Sequence, residues 1–214
     1  MVAVSDLRAL AEAVECEPGE SLSTADLQLI TLGVCVSVTS LDRAAVETAI
    51  GGAFEAGATP AQVQEILSLV SGLGVHTLMV ASAPVLVQAR SAGFALDDKL
   101  TAEQQQLWDK YIGNDPFWIG FERELPGFLR SMLLLSTEQF KAFFAYCAVP
   151  WKSGQVRAKI KELTAMACDA TPTHRFLPGF RLHLANAVAL GAGRIALEQV
   201  MAIASGAPPH SGTA

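Results

Sequence analysis

Apolar residues recur at spacings of three and four almost everywhere along the chain. Strand-like alternation with Asn-Gly or Asp-Gly turns is scarce, so the pattern predicts an all-α fold. Helices are expected over 5–16, 24–38, 41–56, 60–73, 76–91, 101–112, 122–134, 137–147, 154–169, 178–190 and 194–205. Ser23, Ser40, Thr59 and Thr101 stand where an N-cap hydroxyl is wanted, and Gly57, Gly93 and Gly191 where a helix has to stop. Residues 66–89 carry no Asp, Glu, Lys or Arg and are long enough to span a bilayer. Gly72, Gly74, His76, Ser82 and Pro84 interrupt that run, which reads better as two buried helices meeting at Gly74-Val75-His76.

Residues 22–76 lie over 156–210 at a constant offset of 134 without a gap. Identical pairs are Leu29/Leu163, Thr39/Thr173, Ala53/Ala187, Gly57/Gly191, Ala58/Ala192, Ser71/Ser205, Gly72/Gly206 and His76/His210. The shared Gly-Ala turn and the shared Ser-Gly are structural punctuation, so two copies of one three-helix unit are expected. Between the copies, residues 101–151 hold 11 of the 15 aromatics. Two readings of that segment stand: hydrophobic wrapping between the copies, or an aromatic-lined lid over a ligand.

Composition sharpens the picture. Adding the 17 glycines to the 51% apolar fraction and removing the two tyrosines gives about 58%, above the usual ~45–50%. A homo-oligomer is expected to cover that excess. The net charge of −6, with no Lys/Arg cluster, removes nucleic acid from the expected partners. The first residues lack the pattern of a secretory signal, so a cytoplasmic protein with no membrane partner is expected. Cys16, Cys35, Cys147 and Cys168 form no Cys-x-x-Cys pair and are read as buried, inert thiols. No metal or cofactor is demanded, because no His/Asp/Glu cluster has ligand spacing and no Gly-rich phosphate loop is present.

The run Lys161-Glu-Leu-Thr-Ala-Met-Ala is followed by Phe180-Arg-Leu-His-Leu-Ala-Asn-Ala-Val-Ala-Leu-Gly-Ala. This resembles the carboxymuconolactone decarboxylase family, where a Glu-Leu-Ile-Ala-Leu-Ala helix precedes a helix carrying a His, seven residues, and Gly-Ala or Gly-Val. Here His183 is followed by seven residues and then Gly191-Ala192. The first copy matches through Leu22 to Leu32 and through Glu55-Ala-Gly-Ala-Thr-Pro. The resemblance implies an AhpD-like helical fold with two tandem repeats: 1–95 a degenerate first repeat, 96–135 aromatic-rich connecting helices, 136–214 the second repeat. It also implies a trimer-like assembly in which one two-copy chain replaces a pair of single-copy subunits.

Peroxidase-type members of that family carry Cys-x-x-Cys with the second cysteine four residues before the His. Those positions here are Phe176 and Gly179, and Asp42 and Ala45 in the first copy. The resemblance therefore points to the decarboxylase branch: a cofactor-independent lyase or isomerase acting on a small unsaturated carboxylate or lactone. A non-catalytic or ligand-binding helical protein is the alternative, and an alkylhydroperoxidase a distant third.

His183 falls on an apolar helix face with Phe180, Ala187 and Leu190, which suits either a core histidine or a proton-transfer group. The resemblance favours catalysis by His183, with Glu162 orienting its ring; alone, Glu162 reads as a solvated partner of Lys159. His174, Arg181 and His76 are the candidate substrate-binding residues. Arg181 suits a substrate carboxylate or a developing enolate, though a surface arginine is the simpler state. His174 is expected in the loop before Pro178, and His76 shares a repeat position with His210. The offset carries Glu162 onto Gln28 and His183 onto Ala49, so one site per chain is expected, in the second copy.

Overall fold

The computed structural model describes residues 2–211, and among them the fold is all-helical with no strand. The helices are α1 (Val4–Ala13), α2 (Thr24–Val36), α3 (Arg43–Glu55), α4 (Pro60–Ser71), α5 (His76–Ser91), α6 (Ala102–Tyr111), α7 (Pro116–Glu124), α8 (Phe128–Leu135), α9 (Thr137–Cys147), α10 (Val149–Ser153), α11 (Ala158–Asp169), α12 (Leu177–Ala189) and α13 (Arg194–Ser205). Ser23, Thr59 and Thr101 accept from the backbone N–H three residues on and cap α2, α4 and α6. Gly57, Gly93 and Gly191 all have positive φ just past a helix.

Three details differ from the expected elements. Asp42, not Ser40, caps α3, while the Ser40 hydroxyl turns back to donate to the Val34 carbonyl. Two helices, α7 and α8, replace the one expected over 122–134, because Asp115 and Pro116 start a helix early and Leu125-Pro126-Gly127 ends it. The expected start of a helix at 154 is delayed to Ala158, because Gly154 has φ +70.

The chain forms two compact units: Met1–Leu73 with Val149–Ala214, and Gly74–Ala148. These boundaries differ from the expected segments, since both three-helix sets fall in the first unit. Helices α2, α3 and α4 start and end 134 residues before α11, α12 and α13, except that α11 stops one residue short. Hydrogen bonds between the two sets are reciprocal. The Leu22 N–H donates to Gln199 Oε1 at 2.9 Å, and the Val156 N–H, 134 residues later, donates to Glu65 Oε1 at 3.2 Å. Helix α11 is buried on every side, from Ile160 to Asp169, and with α2 forms the centre of this unit.

In the second unit α5 packs on α8, α8 on α9, and α9 on α6. Its rings pack on one another: Trp118 meets Phe121, Phe143 and Phe144, and Phe128 meets Phe121 and Phe143, with centroids 4.9–6.4 Å apart. These aromatics are the core of their own unit. The apolar run of residues 66–89 belongs to a helical stretch, Pro60–Ser91, that is long and apolar enough to cross a membrane. A 3-10 turn at Gly72–Val75 divides it, and α5 is not the buried helix expected: Val80, Val85 and Val87 are half or more exposed. Cys35 and Cys168 are buried as expected, whereas Cys16 and Cys147 are half-buried. Burial pushes the Cys147 thiol up to about 11 and the Cys168 thiol well above its ordinary value.

Candidate functional site

The site grows from the packing of α12 on α11. Helix α11 is rich in small residues, so α12 approaches closely and a polar side chain on one helix can meet its partner on the other. Nδ1 of His183, on α12, is hydrogen-bonded to Oε2 of Glu162, on α11, at 2.6 Å. The Glu162 side chain is 7% exposed and His183 22%, so the pair is sheltered with one side of the ring open. Burial lowers the imidazole's proton affinity, but the hydrogen bond and charge of Glu162, with the charge of Asp169, more than reverse this and raise it. Asn186, one turn beyond His183, donates from Nδ2 to the other Glu162 oxygen, Oε1, at 3.3 Å.

Asp169, fully buried at the end of α11, was not singled out in the sequence. Burial pushes its carboxyl up to about 8, with the His183 charge working the other way. Its Oδ1 lies 3.6 Å from His174 Nε2. Its Oδ2 lies against Gly179, where an added Cβ would be only 2.3 Å away. The space that a side chain at position 179 would need is filled by the Asp169 carboxyl and by the Phe176 ring, 2.8 Å from the same point. A thiol has no room there.

Of the expected site residues, the structure thus brings His183 and Glu162 together. His174 sits in the turn before α12, as expected, and meets Asp169; burial lowers its proton affinity. Arg181 is exposed on α12. Two residues from His183, it points about 200° around the helix and does not share the imidazole's face. His76 is buried at the start of α5 in the other unit. Two surface grooves, of 650 and 470 Å³, share Gly191 and Gly193 as lining and lie past the end of α12, about two turns beyond His183.

A crystal structure from Burkholderia xenovorans LB400, whose provisional name is gamma-carboxymuconolactone decarboxylase subunit, matches 86% of this chain and 71% of that one with a TM-score of 0.72 and 29% sequence identity. No protein-family model and no curated protein matches the sequence. The likeness supports a carboxymuconolactone decarboxylase-like fold and family for this chain.

Proposed function

We propose that the chain is a cofactor-independent acid–base enzyme, a lyase or isomerase acting on a small unsaturated carboxylate or lactone, with one site per chain centred on His183. The 2.6 Å bond from His183 Nδ1 to Glu162 carries this reading. With its proton held at Nδ1, the neutral ring offers Nε2 as the base that takes a proton from carbon. Where a double bond migrates, Glu162 steadies the imidazolium that results and the imidazolium returns that proton at the new carbon; where carbon dioxide leaves a carboxylate, the ring instead starts as the imidazolium and gives its proton to the carbon that keeps the electron pair of the broken C–C bond, to be reprotonated from solvent. Gly179 and Phe176, in place of a cysteine pair, support the decarboxylase branch over the peroxidase one.

We further infer that α2–α4 and α11–α13 are copies of one unit, a reading supported by the constant offset of their ends and by the reciprocal hydrogen bonds. The first copy holds Gln28 and Ala49 where the second holds Glu162 and His183, so it serves as scaffold. His183→Gln should lower turnover of a responsive substrate by a factor of about 10²–10⁴ with little change in melting temperature. Gln28→Ala should leave the rate within a few fold. Loss of stability rather than rate in His183→Gln would make the histidine a packing residue and the protein a binder. A homo-oligomer is part of the same reading, supported by exposed Val80, Val85 and Val87 on α5. Light scattering at micromolar concentration should show more than one chain, and a monodisperse monomer would remove it.

A further inference from the structure

Two side chains of one helix face take the two oxygens of one carboxylate: His183 Nδ1 lies 2.6 Å from Glu162 Oε2, and Asn186 Nδ2, three residues on, donates to Oε1. We propose that Asn186 is a positioning residue of the acid–base site, fixing the plane of the Glu162 carboxylate and thereby holding His183 in the tautomer that carries its proton on Nδ1. The inference rests on the acid–base reading above.

A carboxylate with a single partner turns freely about its last torsion, which is broad and nearly two-fold. Each turn would exchange the oxygen facing the imidazole or swing both away, and the ring would be free to move its proton to Nε2. A second donor on the far oxygen leaves one orientation. The choice of amide matters as well. A cation at this position would neutralise Glu162 and weaken its hold on the imidazolium, whereas Asn186 adds a hydrogen bond without adding charge.

An independent observation singles out the same three positions. At the offset of 134, Glu162, His183 and Asn186 fall on Gln28, Ala49 and Gly52. The two helix pairs keep the same approach there, since a Cβ added at Gly52 would lie 2.7 Å from the Gln28 amide oxygen. Glutamate, histidine and asparagine stand together at these positions in one three-helix set and are absent together from the other. An asparagine that merely packed α12 on α11 has no reason to follow the other two.

The test needs no substrate. Long-range proton–nitrogen NMR of histidine-labelled protein reads which ring nitrogen of His183 is protonated, with His183→Gln assigning the signal. Glu162 and Asp169 on α11 are the titratable groups facing this ring, and His174 faces Asp169 from the turn before α12. Above its titration, wild-type His183 should show a protonated Nδ1 and a bare Nε2. In Asn186→Ala the two nitrogen shifts should move toward each other as the tautomers mix, with a cooperative melting transition near that of wild type as a check on folding. The near-isosteric Asn186→Asp, which keeps the packing but sets a second carboxylate against the first, should raise the pH at which the ring takes its second proton. Wild-type nitrogen shifts in Asn186→Ala, or an unmoved titration in Asn186→Asp, would overturn the role of Asn186. A wild-type ring with its proton on Nε2 would instead overturn the acid–base reading itself, so the two failures are told apart.

Discussion

Glu162 and His183 set each other's state. Burial by itself would hold the imidazole below its ordinary value of about 6.5, and the Glu162 hydrogen bond and charge, with Asp169, lift it above. A base must be neutral to accept a proton, so kcat/KM should rise along an acid limb lying above that value. Glu162→Gln removes the carboxylate and leaves burial as the larger influence, so the limb should move to lower pH while the maximal rate falls. A pH–rate profile with the limb unmoved would show that Glu162 does not hold the ring. His183 and Glu162 were legible in the sequence because their spacing to Gly191-Ala192 and to Leu163-Thr-Ala-Met-Ala carries a family resemblance. Asn186 and Asp169 were not, since an asparagine inside a helix and an aspartate at a helix end are ordinary until α12 is laid on α11. The available hint was Asp169 itself, a charge closing the otherwise apolar run Ala165-Met-Ala-Cys.

Helix ends were legible wherever one side chain decides them. Hydroxyls at Ser23, Thr59 and Thr101 and glycines at Gly57 and Gly191 act on their own neighbours, so local chemistry is enough. The joins that needed tertiary partners were missed, and α10 with the turn after it is the clearest case. Four donors converge on the Glu65 carboxylate of α4: the Lys161 ammonium at 2.8 Å, the Gln155 N–H at 2.7 Å, the Val156 N–H at 3.2 Å, and the Ser153 hydroxyl. Lys161 also donates to the Pro150 carbonyl at 2.8 Å and lies over the Trp151 ring. This buried pair, 3% and 1% exposed, ties α4, α10 and α11 together. Lys161→Met leaves the Glu65 charge buried without its cation and should cost about 3–5 kcal/mol in urea unfolding. Adding Glu65→Gln should recover much of the loss, because the stranded charge is gone. A single variant within about 1 kcal/mol of wild type would mean that the backbone donors alone satisfy Glu65.

For the whole molecule, the buried acid at the end of α11 sets how stability follows pH. Asp169 holds its proton up to about 8 in the folded chain, against an ordinary value near 3.9 once unfolded. Between those values the native state binds one proton more than the unfolded state at this group, so ∂ΔG/∂pH is negative: the stabilisation is complete below about pH 4 and lost progressively as pH rises through 8. His183, also raised, acts in the same direction in a window opening near 6.5. His174 acts oppositely but lower, because a lowered imidazole loses native stability only as pH falls below its ordinary value. Above neutrality the first two groups decide the sign, joined toward pH 9 by the thiols of Cys35, Cys147 and Cys168, which are held above their ordinary value and act in the same direction. The melting temperature should therefore fall from pH 6.5 to pH 9. In Asp169→Asn, which cannot ionise, the fall should flatten between pH 6.5 and pH 8, leaving the smaller slope of His183. Differential scanning calorimetry across that range checks both curves at once. A wild-type melting temperature that climbs toward pH 9, or an Asp169→Asn curve as steep as wild type, would show that the carboxyl at the end of α11 is already ionised at neutral pH.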